Sequence, residues 1–269
     1  MRGFLELVAI AALAPFVQGI VKTLRARLSG RPGPDVLQPY RDLRKLWSKS
    51  SILPDRTSPI LLALPGLCVG VALTVAALVP SLDAAAIALT LALGRFFTVA
   101  AALDTRSSFE GMAASREMTF ASLSELPLIL AIVSGAVAPE HSLPRVLAAG
   151  AILLVLLFET ARIPVDSQET HYELTMIHEG QLLEYGGWHL ALLHYASYVR
   201  QLALLSVGAL LLGAGAAAIG WIASFVVAGA LIERGLAKLR LFEVPGVFAS
   251  ATILAVAGIG LQVVGTAWW

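Results

Sequence analysis

Three acidic side chains are the first candidates for chemistry in this sequence, because they lie inside apolar segments where a charge is costly. Glu117 and Glu125 are eight residues apart, and Glu159 lies near the end of the next apolar segment. Ionisable groups at membrane depth normally face a protein interior or a water-filled cavity, and they mark ion or proton pathways. Carboxylates on adjacent spans can titrate in a coupled way. We therefore expect a proton-coupling cluster at these three residues.

The residues after Glu159 extend this polar region. Arg162 follows Glu159 at i, i+3 spacing, which predicts that the two side chains share a helical face and pair. Pro164 then ends the helix. Thr170 and Glu173 have the spacing of a capping box, which predicts a short helix over residues 171–185.

Glu173 and Glu184 are eleven residues apart, so on that short helix they would project from one face. Each ionisable group also has a structural interpretation as a buried hydrogen-bond anchor, and Arg95 or Arg200 could simply neutralise a neighbour. His178 and Glu179 begin a zinc-binding pattern, but position 182, where the second histidine is needed, is leucine. We therefore expect no metal site.

The amino-acid composition predicts that transmembrane helices position these groups. Of the 269 residues, 58% are hydrophobic and 14% are charged, whereas soluble domains carry about 25% charged residues. A water-soluble globular enzyme is therefore excluded. Apolar runs long enough to cross a ~30 Å hydrocarbon core predict an all-α integral membrane protein, a bundle of about eight transmembrane helices forming one polytopic domain over residues 1–269. The predicted spans are 3–23, 58–80, 84–103, 118–138, 145–163, 189–214, 218–237 and 247–267.

Charge asymmetry predicts the orientation of the chain. Nine basic residues lie between Lys22 and Arg56, so the positive-inside rule places loops 24–57, 104–117, 164–188 and 238–246 in the cytoplasm of a prokaryotic cell, below its plasma (inner) membrane. An even number of spans then leaves both termini outside. The basic residues concentrate in one loop, which is not typical of nucleic-acid binding. With a single cysteine, Cys68, we expect no redox cofactor in this chain.

The first loop has the pattern of a docking element. Gly and Pro residues at 30–34 predict a rigid turn, and Tyr40, Leu43, Leu46 and Trp47 form an apolar stripe opposite basic residues. The stripe predicts an amphipathic helix on the inner membrane surface. Such a helix either contacts lipid headgroups only or docks a peripheral subunit. The candidate docking residues are Arg31, Pro32, Gly33, Pro34, Gln38, Tyr40, Arg41 and Asp42.

Several motifs in order resemble one membrane-protein family. They are Gly-Arg-x-Gly-Pro with Leu-Gln-Pro-Tyr-Arg-Asp-Leu at 30–43, Ser-Arg-Glu-Met at 115–118, Glu-Thr-x-Arg-Ile-Pro-Val-Asp at 159–166, Glu-Leu-Thr-Met-Ile-His-Glu at 173–179 and Leu-Glu-Tyr at 183–185. The chain resembles the subunit shared by respiratory complex I and the energy-converting membrane-bound [NiFe]-hydrogenases, called complex I subunit 1. Val165 and the run after it look like the hydrogenase branch, which includes formate hydrogenlyase.

The resemblance implies a subunit of an oxidoreductase complex without a redox centre of its own. Soluble [NiFe]-hydrogenase-like large and small subunits, carrying [NiFe] and iron-sulfur clusters, would dock on the cytoplasmic loops, and antiporter-like subunits would lie beside it in the lipid bilayer. Arg162, Asp166, Glu173 and Glu184 would join the three buried carboxylates in proton coupling. One alternative is a complex I-type subunit with a quinone headgroup beneath Arg31, Arg41 and the loop 164–188. Another is a passive membrane anchor.

Overall fold

The computed structural model describes residues 2–51, 58–138, 142–166 and 175–266. Every regular element in these ranges is helical, which confirms the predicted all-α fold. Single 3-10 turns lie at Val79–Ser81 and Glu179–Gln181. The α-helices are α1 (Arg2–Leu28), α2 (Gln38–Trp47), α3 (Pro59–Leu78), α4 (Ala84–Asp104), α5 (Ser108–Val137), α6 (Leu143–Glu159), α7 (Gly187–Leu212), α8 (Ala216–Gly235) and α9 (Val244–Thr266).

Within those ranges, seven helices are long and apolar enough to cross a membrane: α1, α3, α4, α5, α7, α8 and α9. The predicted fifth span, 145–163, corresponds to α6, which has 17 residues and ends at Glu159 rather than at residue 163. It ends early because Ala161 adopts a left-handed conformation with φ of 50°, which an α-helix does not accommodate. The apolar stretch between the predicted sixth and seventh spans divides at 213–215, between α7 and α8.

The core of the bundle forms around α6 and α7. Helix α6 packs against α5, α7 and α9, and α7 packs against α1, α3, α6 and α8. Ala148, Ala149 and Ala151 on α6 are buried, and small residues of this kind allow helices in a membrane to approach closely. Leu204 and Val207 on α7 contribute to the same apolar cluster.

The first loop folds back along α1 instead of extending from it. The Thr23 hydroxyl donates to the Pro34 carbonyl at 2.8 Å, and the Tyr40 hydroxyl donates to the Ala12 carbonyl at 2.5 Å. A Cβ at Gly19 would overlap the Val36 carbonyl oxygen, so glycine permits the closest crossing of loop and helix. Helix α2, the predicted amphipathic helix, then packs against α1 and α7.

Two predicted loop structures are wrong. The predicted polar loop 104–117 is mostly helical, because α5 begins at Ser108. The short helix predicted over 171–185 is absent from its described part, residues 175–185, where only the 3-10 turn at Glu179–Gln181 is helical. The backbone N–H groups of Ile177 and His178 donate to the Asp166 carboxylate instead, at 3.2 Å each. A side chain that binds backbone donors in this way competes with helix formation.

The close crossing of the first loop and α1 gives a stability prediction. We expect Gly19→Ala to lower the free energy of unfolding by about 1–3 kcal/mol, because the methyl group meets backbone atoms that cannot rotate away. Thermal unfolding of the purified chain in mild detergent measures this. Gly66→Ala on α3 is the matched control, since a Cβ there has no atom within 4 Å. Equal unfolding temperatures for the two variants would contradict this packing.

Candidate functional site

A buried arginine on α4 forms ion pairs with carboxylates from two other helices. The Arg95 guanidinium forms ion pairs with Glu159 at the end of α6, with Glu125 on α5 at 3.0 Å and with Glu117 on α5 at 4.0 Å. Arg95, Glu117 and Glu159 are buried, whereas the Glu125 side chain is 35% exposed. The structure thus brings the three predicted carboxylates together around one cation, which we call the Arg95 cluster.

Helix geometry accounts for this convergence. Glu117 and Glu125 are eight residues apart on α5, just over two turns, so both project toward α4. The Arg95 guanidinium also lies over the Phe158 ring, 5.9 Å from its centroid, where the ring's negative face attracts a cation. Sequence reasoning named Arg95 or Arg162 as the cation that acts on the three carboxylates but did not choose between them, because Arg95 and Glu159 are 64 positions apart.

His178 joins the cluster to a loop. Its Nε2 lies 3.4 Å from the Glu117 carboxylate, and its Nδ1 lies 3.8 Å from Asp166. Lys238, in the segment between α8 and α9, donates from Nζ to Asp166 at 2.9 Å. A continuous line of alternating charges therefore connects Glu125, Arg95, Glu117, His178, Asp166 and Lys238.

The two loop residues of this line have shifted pKa values. Burial raises the pKa of Asp166, but His178 and Lys238 on either side outweigh it and hold that pKa well below its usual range. Burial opposes a charge on His178, yet the carboxylates of Glu117 and Asp166 hold the pKa of this imidazole above its ordinary value. Both shifts favour a charged pair.

Arg162 does not pair with Glu159, and the predicted i, i+3 contact is wrong. Because α6 ends at Glu159, Arg162 lies outside the helix and shares no helical face with Glu159. It donates instead to Glu233 on α8 at 2.9 Å and to Gln18 on α1 at 2.8 Å. Arg25 contacts the second oxygen of Glu233 at 3.3 Å. These four residues form a second buried polar cluster that joins α1, α8 and the segment after α6.

Of the remaining predicted acidic residues, Glu184 lies apart from the Arg95 cluster. The backbone N–H of Glu184 donates to the buried Glu110 carboxylate at 3.2 Å. Glu173 lies outside the described residues. Sequence reasoning missed Glu110, since it fell in the predicted polar loop. The pattern Ser107-x-x-Glu110 at the beginning of α5 was the signal that could have identified it.

Two cavities lie beside the charged line. The first, of about 90 Å³, is lined by Arg95, Glu117, Glu159, His178 and Arg200 among others. The second, of about 440 Å³, lies between α1, α2 and α7, and Lys22, Arg25, Asp42, Leu43 and Leu46 contribute to its lining. Glu179, Leu182 and His194 line both cavities, so the two adjoin there. Among the described residues, no group of three or more His, Cys, Asp or Glu side chains is arranged to hold a metal ion.

The predicted docking residues form the outer surface of the folded-back loop and of α2. Arg31, Pro32, Pro34, Tyr40 and Arg41 are exposed, whereas Gly33, Gln38 and Asp42 are half-buried. Arg41 pairs with Asp35 at 2.7 Å, and Gln38 donates to Asp42 at 2.8 Å. These contacts lie within the first loop and α2, and they leave basic groups accessible.

Comparison with known proteins gives consistent matches over most of the chain. The family model described as NADH dehydrogenase matches residues 3–254. Formate hydrogenlyase subunit 4 of Escherichia coli (strain K12) is 31% identical over 284 aligned positions, covering 90% of this chain and 91% of that protein. Hydrogenase-4 component C of the same organism is 32% identical over 228 positions, covering 75% and 71%.

A solved structure has the same fold. A chain of the membrane-bound sulfane sulfur reductase, an archaeal respiratory membrane complex, superimposes with a TM-score of 0.79 at 19% sequence identity. The match covers 96% of this chain and 97% of that chain.

The Arg95 cluster gives a second stability prediction. Arg95→Met leaves buried carboxylates without their cation, and we expect it to lower the free energy of unfolding by about 3–5 kcal/mol. The double variant Arg95→Met/Glu159→Gln removes one of those charges and is expected to recover about 1–3 kcal/mol. Unfolding of the purified variants in mild detergent measures both. Arg234→Met, at an exposed site on α8, is the control. A double variant that is no more stable than Arg95→Met would contradict the coupling.

Proposed function

The chain belongs to the NADH dehydrogenase family, of the subunit 1 type, and from that premise we propose that it is a membrane subunit of a multisubunit hydrogenase complex of the formate hydrogenlyase kind. It anchors a soluble [NiFe] module and couples that module's redox chemistry to ion translocation. The single observation that carries the coupling role is the Arg95 cluster, in which one cation serves three carboxylates inside the bundle.

Charge balance explains why this cluster suits a proton-coupling role. One guanidinium cannot neutralise three carboxylates, so the cluster can accept a proton without recruiting another cation. Arg95 contacts all three, so a proton that binds to one carboxylate leaves the guanidinium free to strengthen its interaction with the others. A change of charge near the loops then redistributes protons among Glu117, Glu125 and Glu159.

The energies are compatible with this mechanism. Moving one elementary charge against 100 mV costs about 2.3 kcal/mol, which equals between one and two pKa units at about 1.36 kcal/mol each. Electrostatic changes of that size arise from a single charge a few ångströms away inside a protein. The redox chemistry belongs to the partner, which supplies the change of charge.

We place the soluble module on the end of the bundle that holds the folded-back loop, α2 and the segment 175–186. The basic residues of that end favour a cytoplasmic location. With α6 crossing as an eighth span, both termini lie outside. The half-exposed Glu125, with exposed Phe96 and Leu126 near it on α4 and α5, favours an antiporter-like membrane subunit against this edge, where it receives the proton.

The coupling role predicts a specific effect of carboxylate variants. We expect Glu117→Gln and Glu159→Gln each to reduce ion pumping by the assembled complex at least tenfold, because the amide cannot carry a proton. Hydrogen turnover with an artificial donor continues. Proteoliposomes with a pH-sensitive dye inside measure pumping, and gas analysis measures turnover. Glu6→Gln, at an exposed carboxylate on α1, is the matched control. Unchanged pumping in both cluster variants would leave only a passive anchor.

The 440 Å³ cavity favours one second candidate, a quinone site of a complex I-type subunit. Its apolar Leu43, Leu46 and Leu190 suit a prenyl tail, and Lys22 and Arg25 suit a polar headgroup. Of the groups that the sequence suggested for the headgroup, Arg31 and Arg41 do not line this cavity, whereas Met176 and Glu179 of the loop 164–188 do. Arg41 pairs with Asp35 on the surface instead.

Purification distinguishes the two candidates. We expect a nickel- and iron-containing protein to co-purify with the tagged chain in mild detergent. Hydrogen turnover by the purified complex is expected to be insensitive to quinone analogues. Metal analysis and mass spectrometry of the purified complex provide the measurement. A complex without nickel that is inhibited by a quinone analogue would favour the second candidate instead.

A further inference from the structure

His178 is the residue that lies between the buried carboxylates and the loop. Its ring has one nitrogen toward Glu117 on α5, at 3.4 Å, and the other toward Asp166, at 3.8 Å. The ring stacks edge-on against Phe158 on α6, with centroids 4.9 Å apart, and the side chain is only 15% exposed. An imidazole held between two carboxylates can accept a proton at one nitrogen and release it at the same nitrogen.

Asp166 faces Nδ1 of the ring but is poorly placed to carry a proton. Its carboxylate accepts the N–H groups of Ile177 and His178 and the Lys238 ammonium. Three donors on one carboxylate stabilise its ionised form. Asp166 therefore keeps a negative charge against Nδ1, which leaves Nε2, facing Glu117, as the nitrogen that exchanges protons.

The 90 Å³ cavity supplies a route to that nitrogen. His178, Glu117, Gln181 and Arg200 line it. Buried polar atoms of these residues, such as Gln181 Oε1 and Arg200 Nε, find no hydrogen-bond partner among the described residues. A polar cavity of this volume is large enough to hold water. Through Glu179 and His194 it adjoins the 440 Å³ cavity at the loop end of the bundle.

We propose that His178 is the proton-transfer residue that delivers protons from this hydrated cavity to Glu117, with Asp166 as its positioning residue. The inference rests on the proposed proton-coupling function. In the transfer, the imidazolium gives the Nε2 proton to the Glu117 carboxylate after a small ring movement closes the 3.4 Å gap. Cavity water then gives a proton to Nε2 and takes up another from the aqueous loop end, so no hydroxide is left behind, while the Nδ1 proton stays on the ring facing Asp166. One proton enters and one leaves, so the charge of His178 is restored.

The charged groups that face His178 set the pH at which this transfer operates. They are Glu117 from α5, Asp166 from the loop after α6 and Arg200 from α7. Arg95, Glu159, Glu179 and His194 line the same cavity as His178, and Lys238 pairs with Asp166. The two carboxylates outweigh the cation on α7 and keep the pKa of His178 above its ordinary value. Loss of the negative charge of Asp166 lowers this pKa, so the pH range over which the imidazolium is present ends at a lower pH.

Chemical rescue tests the proposal in the assembled complex. We expect His178→Ala to reduce proton pumping in proteoliposomes at least tenfold per assembled complex, while hydrogen turnover with an artificial donor continues. Added imidazole is expected to restore at least a third of the pumping, because it occupies the enlarged cavity. His189→Gln, at a histidine that contacts Ser51 outside the cluster, is the matched control. A merely structural role for His178 gives loss of pumping without rescue, and that result would overturn the proposal.

Asp166→Asn provides a second measurement that keeps His178 in place. We expect the pH dependence of pumping to move to lower pH by about one unit or more, and an unchanged profile would overturn the proposal. Comparison with Glu117→Gln separates this inference from the proposed function. If Glu117→Gln stops pumping and His178→Ala does not, only the role of His178 is lost. If His178→Ala, Glu117→Gln and Glu159→Gln all leave pumping unchanged, the proton-coupling function fails as well.

Discussion

Neutralisation of a buried guanidinium is the constraint on which the rest of this structure depends. A charge inside a bundle is tolerated only when counter-charges and hydrogen bonds surround it, and Arg95 on α4 finds them on α5 and α6. The three helices are thereby aligned at one level. Arg162 is a second buried guanidinium, and it is neutralised and hydrogen-bonded in the same way by Glu233 on α8 and Gln18 on α1. These two polar clusters position five of the bundle's helices near the loop end.

Hydropathy and helix-breaking Gly and Pro residues predicted most of the helices. These signals are local, because the length of an apolar run and the conformational limits of Gly and Pro depend only on the segment that contains them. Several short motifs in order, from residues 30–43 to 183–185, identified the family. Local rules were wrong where a distant partner competed with them. Glu159 and Arg162 have the spacing of a helical pair, yet the helix ends between them and each binds a residue far away in sequence. Likewise, the carboxylate of Asp166 takes backbone donors that a helix over 171–185 would have used.

The folded-back first loop shows how a surface element acquires a fixed position without a large core of its own. Gly19 and the Thr23 hydroxyl hold the loop against α1, and Tyr40 extends the contact to Ala12. The basic face of α2 is therefore presented by the rigid bundle rather than by a flexible tether. A partner that docks there is held at a defined distance from the charged line that ends at Lys238.

The short length of α6 affects how a membrane voltage acts on the bundle. Seventeen residues span about 25 Å at 1.5 Å per residue, less than the ~30 Å of hydrocarbon in a bilayer. Helices α5, α7 and α9 pack around it, and a polar cavity reaches its end at Glu159. The apolar path along α6 is consequently shorter than the hydrocarbon of the surrounding lipid. A membrane potential would fall over that shorter distance, so under the proposed function a proton moving near Glu159 would cross a larger share of the potential per ångström than one moving through the bilayer.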